Sequence, residues 1–209
     1  MNLPAMKVRI TFNEPILGTR PADPELHTRF VASKAPDART MAEEVADLGA
    51  QEVDERTKTI FMKMEDGTPF MYEYMLKGFM KEAARTLKKV PGTRTNKATA
   101  YLKTIDNFVK VVGPYRDRPR VLPMYMPIDL DLAATDNQRP LRASTPQGER
   151  VALAHSEEAP AGTYIECTIV CLRKDDLKLV REWLDYGDWK GMGQWRNAGY
   201  GRFTWEELS

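Results

Sequence analysis

Thirteen residues close to the end of the sequence, Gly191-Met-Gly-Gln-Trp-Arg-Asn-Ala-Gly-Tyr-Gly-Arg-Phe203, carry its clearest chemistry. Glycines at 191, 193, 199 and 201 allow close backbone approach, and exposed N–H groups in such a turn can cradle an anion. Arg196 and Arg202 bring planar donor forks, Lys190 a point charge, and Gln194 and Asn197 amides. Trp195 and Tyr200 offer faces on which a base can stack. That inventory suits phosphate and base better than a fatty acid or a sugar. The spacing is neither G-x-G-x-x-G nor a P-loop. The alternative is a turn that simply joins a helix ending near Tyr186 to a last strand at 201–206.

Three further groups could do chemistry. Lys77-Gly78, at a helix-opening turn, pairs a point charge with a residue that lets backbone approach a ligand. Its alternative is a glycine relieving helix–sheet packing beside a solvated lysine. A basic run from Lys88 to Arg120 holds nine cations against Asp106 and Asp117, with Tyr101, Phe108 and Tyr115 interleaved. Arg139, Arg142 and Arg150 form a second cluster. Such runs are either solvated faces or polyanion tracks. His155 is the candidate base for attack by a 2′-hydroxyl. No His/Cys pair has metal-ligand spacing, so neither metal nor cofactor is expected.

Bulk composition narrows the partners. The chain has 209 residues and a formal net charge of +1, so nucleic acid must be met by local patches rather than by overall charge. Acids concentrate between Glu43 and Asp66. No apolar run approaches the roughly 20 residues of a membrane-spanning helix, and the N-terminal residues lack a signal pattern. Cys167 and Cys171 fall on one face of a strand about 13 Å apart, too far for a disulfide. Buried thiols in a reducing, cytoplasmic setting are the expectation.

Elements must position these groups. Alternation predicts a strand over 6–12, and strands over 57–64, 120–126, 138–142, 150–155, 163–172 and 201–206. Helices are predicted over about 23–35, from Thr40 (a capping box with Glu43) to Gly49, over 73–90 and over 175–186. Met75, Phe79, Met80, Ala83 and Leu87 repeat at helical spacing as a core stripe. Helices against a mostly antiparallel sheet make an α+β fold. The order matches a ferredoxin-like (RRM-like) βαββαβ core: one domain over 1–209 with insertions at about 13–56 and 91–120.

With these motifs in this order the chain resembles the RAMP superfamily, RNA-binding proteins of CRISPR effector complexes, and above all the subunits that line guide RNA. Gly191 to Phe203 is similar to that family's glycine-rich loop, which ends in Gly-Tyr-Gly-Arg before the last strand. Gly67-x-Pro69, Leu76-Lys-Gly78-Phe and Arg85 resemble its first-helix region. Ala159-Pro-Ala-Gly-Thr163 precedes a long strand as in the family. Met71-Tyr-Glu-Tyr-Met75 stands where small residues usually precede Lys-Gly, and the first-loop aspartate of RNA-cutting members has no equivalent; Asp54 lies too far upstream. Solitary phage and prophage copies are similar too.

The resemblance implies a non-catalytic RNA-binding protein whose loop, Lys190 to Arg202, and Lys77-Gly78 hold phosphate. The basic run Lys88–Arg120 would extend the track, and Arg139 and Arg142 of the second cluster are further candidate contacts. It implies head-to-tail self-association, or membership of a CRISPR-type or host defence complex, and an accessory or anti-defence role. Two other readings stay open: a sequestering protein for a nucleotide or cyclic oligonucleotide signal, and a metal-independent ribonuclease using His155.

Overall fold

The computed structural model describes residues 3–22, 58–127, 136–145 and 148–209, with side chains omitted at 21, 141–145 and 148–153. The helices expected over 23–35 and 40–49, together with His27 and Asp54, lie outside the described residues. The chain divides into two compact units. One comprises Met1–Ile16, Met62–Leu130 and Ala159–Ser209; the other comprises Leu17–Phe61 and Asp131–Glu158.

In the first unit, Met6, Val8, Ile10 and Phe12 alternate with polar residues along β1 (Ala5–Phe12), which buries one face. β2 (Ile16–Leu17) lies where the chain leaves this unit; β3 (Arg20–Pro21) and β4 (Thr59–Ile60) belong to the other. β5 (Met62–Lys63) and β6 (Pro69–Tyr72) form a hairpin around the Glu65-Asp-Gly-Thr turn. Helix α1 (Glu73–Leu87) follows directly. Then come α2 (Arg94–Lys97), α3 (Tyr101–Phe108), β7 (Val109–Val112) and β8 (Val121–Tyr125). β9 (Asp136–Thr145) and β10 (Gly148–Ala159) pair antiparallel in the second unit. The chain closes with β11 (Tyr164–Cys171), α4 (Asp176–Asp185) and β12 (Phe203–Leu208).

The sheet of the first unit runs β12-β1-β11-β8-β6-β5, and β7 also pairs with β11. β1 is antiparallel to both β11 and β12, with Arg9 opposite Glu166 on one side and Glu206 on the other. The path β1–α1–β7/β8–β11–α4–β12 is therefore a ferredoxin-like βαββαβ core within an α+β fold. The second-strand position is shared: β7 pairs with the Cys171 end of β11 and β8 with its Tyr164 end. In the second unit β10 also takes β4 in parallel register at Ser156 and Thr59, and β3 follows β4.

Leu76, Phe79, Met80 and Ala83 of α1 are buried, as are Leu177, Val180, Trp183 and Leu184 of α4. Val8 and Ile10 of β1 and Ile165 and Ile169 of β11 are buried as well, as expected of a layered core. Cys167 and Cys171 are free and buried. Burial pushes their thiols up to about 12 and about 11, so neither is an active nucleophile.

The basic segment 91–120 holds α2, α3 and β7. The last strand starts at Phe203, two residues later than expected, because Gly201 is taken up by a crossing of the preceding loop. Among the described residues no helix is long and apolar enough to cross a membrane.

Candidate functional site

After α4 the chain makes a 3-10 turn at Tyr186–Asp188 and enters the glycine-rich loop. The loop's two legs cross. Met192 N–H donates to the Gly201 carbonyl at 2.9 Å, and Gly201 N–H donates to the Pro15 carbonyl at 2.8 Å. A Cβ on Gly201 would lie 2.0 Å from the Met192 oxygen, and one on Gly191 would lie 2.2 Å from the Gly201 carbonyl carbon. Backbone crossing, rather than an open anion cradle, is what demands glycine at these two positions. Gly193 and Gly199 lie in the loop's turns, the latter closing the 3-10 turn Arg196–Ala198.

The loop's tip carries the chemistry. Trp195 takes a left-handed backbone at φ 53° and stacks on Tyr200, with ring centroids 5.0 Å apart and 27° between planes. Lys190 Nζ donates to Asn197 Oδ1 at 2.9 Å. Arg196 Nη1 pairs with Glu82 Oε2 on α1, and Lys190 stands 3.8 Å from the other oxygen of that carboxylate. Phe79 of α1 stacks on Tyr186 and meets Phe203 edge-on, which fixes the loop's base on the helix. Gln194 is half-buried, and Arg202 is exposed with no side-chain partner among the described residues.

Lys77 and Gly78 do not open a helix. They lie in the second turn of α1, where backbone N–H groups are already used within the helix. Lys77 Nζ reaches the Asp106 carbonyl of α3 at 3.4 Å, and Lys81 pairs with the Asp106 carboxylate at 2.6 Å. A Cβ on Gly78 would meet nothing within 4 Å, so this glycine relieves no packing either. It leaves helix surface bare one turn before Glu82, and Glu82 is where the loop touches α1.

The basic run is partly consumed internally. Lys88 Nζ donates to the carbonyls of Asn96 and Ala98, at 2.6 and 3.0 Å. Arg118 pairs with Glu65 and Arg120 with Glu73, each at 3.0 Å. Lys97, Lys103, Lys110 and Arg116 are exposed and carry no ion pair among the described residues. A concavity of about 300 Å³ lined by Met64, Glu65, Asp66, Tyr115, Asp117 and Arg118 mixes charges and gathers none of the loop residues.

In the second unit, Arg139 is 5% exposed and its Nη1 donates to Ser156 Oγ at 2.9 Å. Arg142 stands on β9 opposite Val151, and its side chain lies outside the described residues. His155 Nε2 lies 3.2 Å from Asp136 Oδ2, which also accepts from Lys58 Nζ at 2.7 Å. Burial pushes the Asp136 carboxyl up, but the Lys58 hydrogen bond and the neighbouring His155 outweigh it and hold it below its ordinary value. Among the described residues no cluster of His, Cys, Asp and Glu is arranged to hold a metal.

No family model matches the sequence, and neither does any curated protein. A solved structure does resemble it. One chain of the cryo-EM structure of the type III-B Cmr-beta bound to cognate target RNA superposes with a TM-score of 0.51 at 12% sequence identity. The match covers 98% of this chain and 58% of that one, so this protein spans a little over half its neighbour's length. At that identity the likeness is one of fold. It agrees with the ferredoxin-like core traced above.

Two residues of the site were missed in the sequence. Glu82 is the single acid between Lys77 and Lys89, standing among Lys77, Lys81, Arg85, Lys88 and Lys89, and an acid so placed is a signal that it holds a cation from elsewhere. Trp189, directly before Lys190, is 78% exposed, more than any other large apolar side chain described. Its place next to a charged, glycine-rich turn was the available clue.

Proposed function

We propose that this protein is a non-catalytic RNA-binding protein in which the loop from Lys190 to Arg202 holds the phosphate backbone and the Trp195–Tyr200 pair receives a base. The observation that carries this reading is the loop tip. There Trp195, in a left-handed backbone conformation, stacks on Tyr200, and two residues after Tyr200 comes an exposed Arg202 with no side-chain partner among the described residues. A guanidinium and π-faces carried on one loop are the combination that single-stranded nucleic acid uses, with charge for phosphate and stacking for bases. The whole-chain likeness to a chain of an RNA-bound assembly supports the choice of RNA and of a CRISPR-type complex as the setting. Lys97, Lys103, Lys110 and Arg116 would extend the track on the same unit.

Fluorescence anisotropy of labelled single-stranded RNA across a salt series tests it. Affinity is expected to fall steeply with salt, and Arg202→Ala is expected to lower the log–log slope by about one. An Arg196→Ala, Arg202→Ala double variant with wild-type affinity at every salt concentration overturns the reading.

A further inference from the structure

Glu82 lies between the loop's two other cations. Its Oε2 pairs with Arg196 Nη1, and its Oε1 stands 3.8 Å from Lys190 Nζ, which Asn197 Oδ1 steadies at 2.9 Å. The three charged side chains are each about one-third exposed, at 33, 34 and 27% for Glu82, Arg196 and Lys190. Solvent, and hence a ligand, reaches the pair. A carboxylate and a phosphodiester present the same thing to a guanidinium: two oxygens sharing one negative charge. Gly78, one turn earlier on the same helix, leaves open surface beside this carboxylate.

We propose that Glu82 is an internal stand-in for phosphate: it holds Arg196 and Lys190 in their binding positions and is displaced when a backbone phosphate docks. This rests on the loop being the RNA site. Glu82 then sets a threshold. Any anion must outcompete a carboxylate fixed on α1, so a lone, weakly held anion is rejected. A strand that also engages Arg202 and the aromatic pair succeeds. The contribution of a partly exposed ion pair is small, which suits an exchangeable contact.

RNA anisotropy on the full chain tests this with Glu82→Gln, Glu82→Gln with Arg196→Ala, and Asp175→Asn. The last removes one exposed carboxylate from the start of α4 as a charge control. Glu82→Gln is expected to bind RNA roughly two- to fivefold tighter than wild type. The gain should vanish in the double variant, and Asp175→Asn should show little of it. Wild-type binding with no gain in Glu82→Gln, or an equal gain in Asp175→Asn, overturns the stand-in while leaving the loop as RNA site. A reduced affinity in Glu82→Gln also overturns it, making Glu82 a fixed support for Arg196. Absence of binding in both wild type and Glu82→Gln at low salt removes the RNA site and this proposal together.

Discussion

Glu182 and Thr95 are joined through one carboxylate oxygen, which accepts from both the Thr95 N–H and its hydroxyl. The other oxygen accepts the Arg94 N–H at 2.6 Å. A residue of α4 thus satisfies the free donors at the start of α2, and Trp183 completes the cluster by donating its indole N–H to Thr95 Oγ1 at 2.9 Å. Thr95 is fully buried. α2, four residues long, is too short to stand alone, and this contact holds the basic segment against the core.

Replacing Glu182 by Ala leaves the N–H and hydroxyl of buried Thr95 without their acceptor. Urea unfolding is expected to show a loss of about 1–3 kcal/mol, with Glu182→Gln intermediate because one carbonyl oxygen remains. Unfolding midpoints that coincide for wild type and Glu182→Ala would show that water substitutes for the carboxylate.

What was legible followed from local rules. β1 and β11 were readable because alternation along a half-buried strand is a two-residue property. α1 and α4 were readable from their apolar stripes. The Glu65-Asp-Gly-Thr turn announced its own hairpin, and Gly67 has the positive φ of +85° that such a turn needs. The segment after α1 was not readable, since α2 depends on Glu182, some ninety residues away. Its local signal, Thr93 accepting from the Asn96 N–H as an N-cap, is four residues long and easily passed over. The glycine loop was legible as a loop with chemistry on it. That Gly191 and Gly201 serve a backbone crossing was not, because each is crowded by backbone from the loop's other leg, Gly191 by Gly201 and Gly201 by Met192. Lys77 likewise turns to Asp106 on α3, a contact that no spacing rule within α1 could announce.

Two glycines of the loop should differ in what alanine does to them. Gly199 has φ +96°, and the atoms nearest an added Cβ are on Arg202 at 3.8 and 3.9 Å, ordinary contact. Gly201 has φ +70° and a backbone oxygen 2.0 Å from the same position. Gly199→Ala therefore meets backbone strain alone, about 1–2 kcal/mol. Gly201→Ala adds a clash that only a shift of the Met192 leg relieves, and its loss should exceed that of Gly199→Ala by roughly 1 kcal/mol or more. Urea titrations of the two variants side by side give the difference, and equal losses would mean that the legs part readily.

The pairing of Glu166 on β11 with Arg9 on β1 makes stability depend on pH in a definite direction. Arg9 Nη2 and Nε donate to Glu166 Oε1 at 2.8 and 3.1 Å, and Lys7 Nζ stands 3.4 Å from Oε2. The Arg9 hydrogen bond, opposed by burial and aided by Lys7, holds the Glu166 carboxyl below its ordinary 4.5. A carboxyl whose value is depressed by folding binds protons more readily in the unfolded chain. Its contribution is complete above the unfolded value and fades as pH drops through the folded one. Unfolding free energies of wild type and Glu166→Gln, measured from neutral pH downward, should therefore differ most near neutrality and converge below about 4.5. A gap between the two curves that stays constant into acid would show that the Arg9–Glu166 contact stabilises by shape rather than by charge.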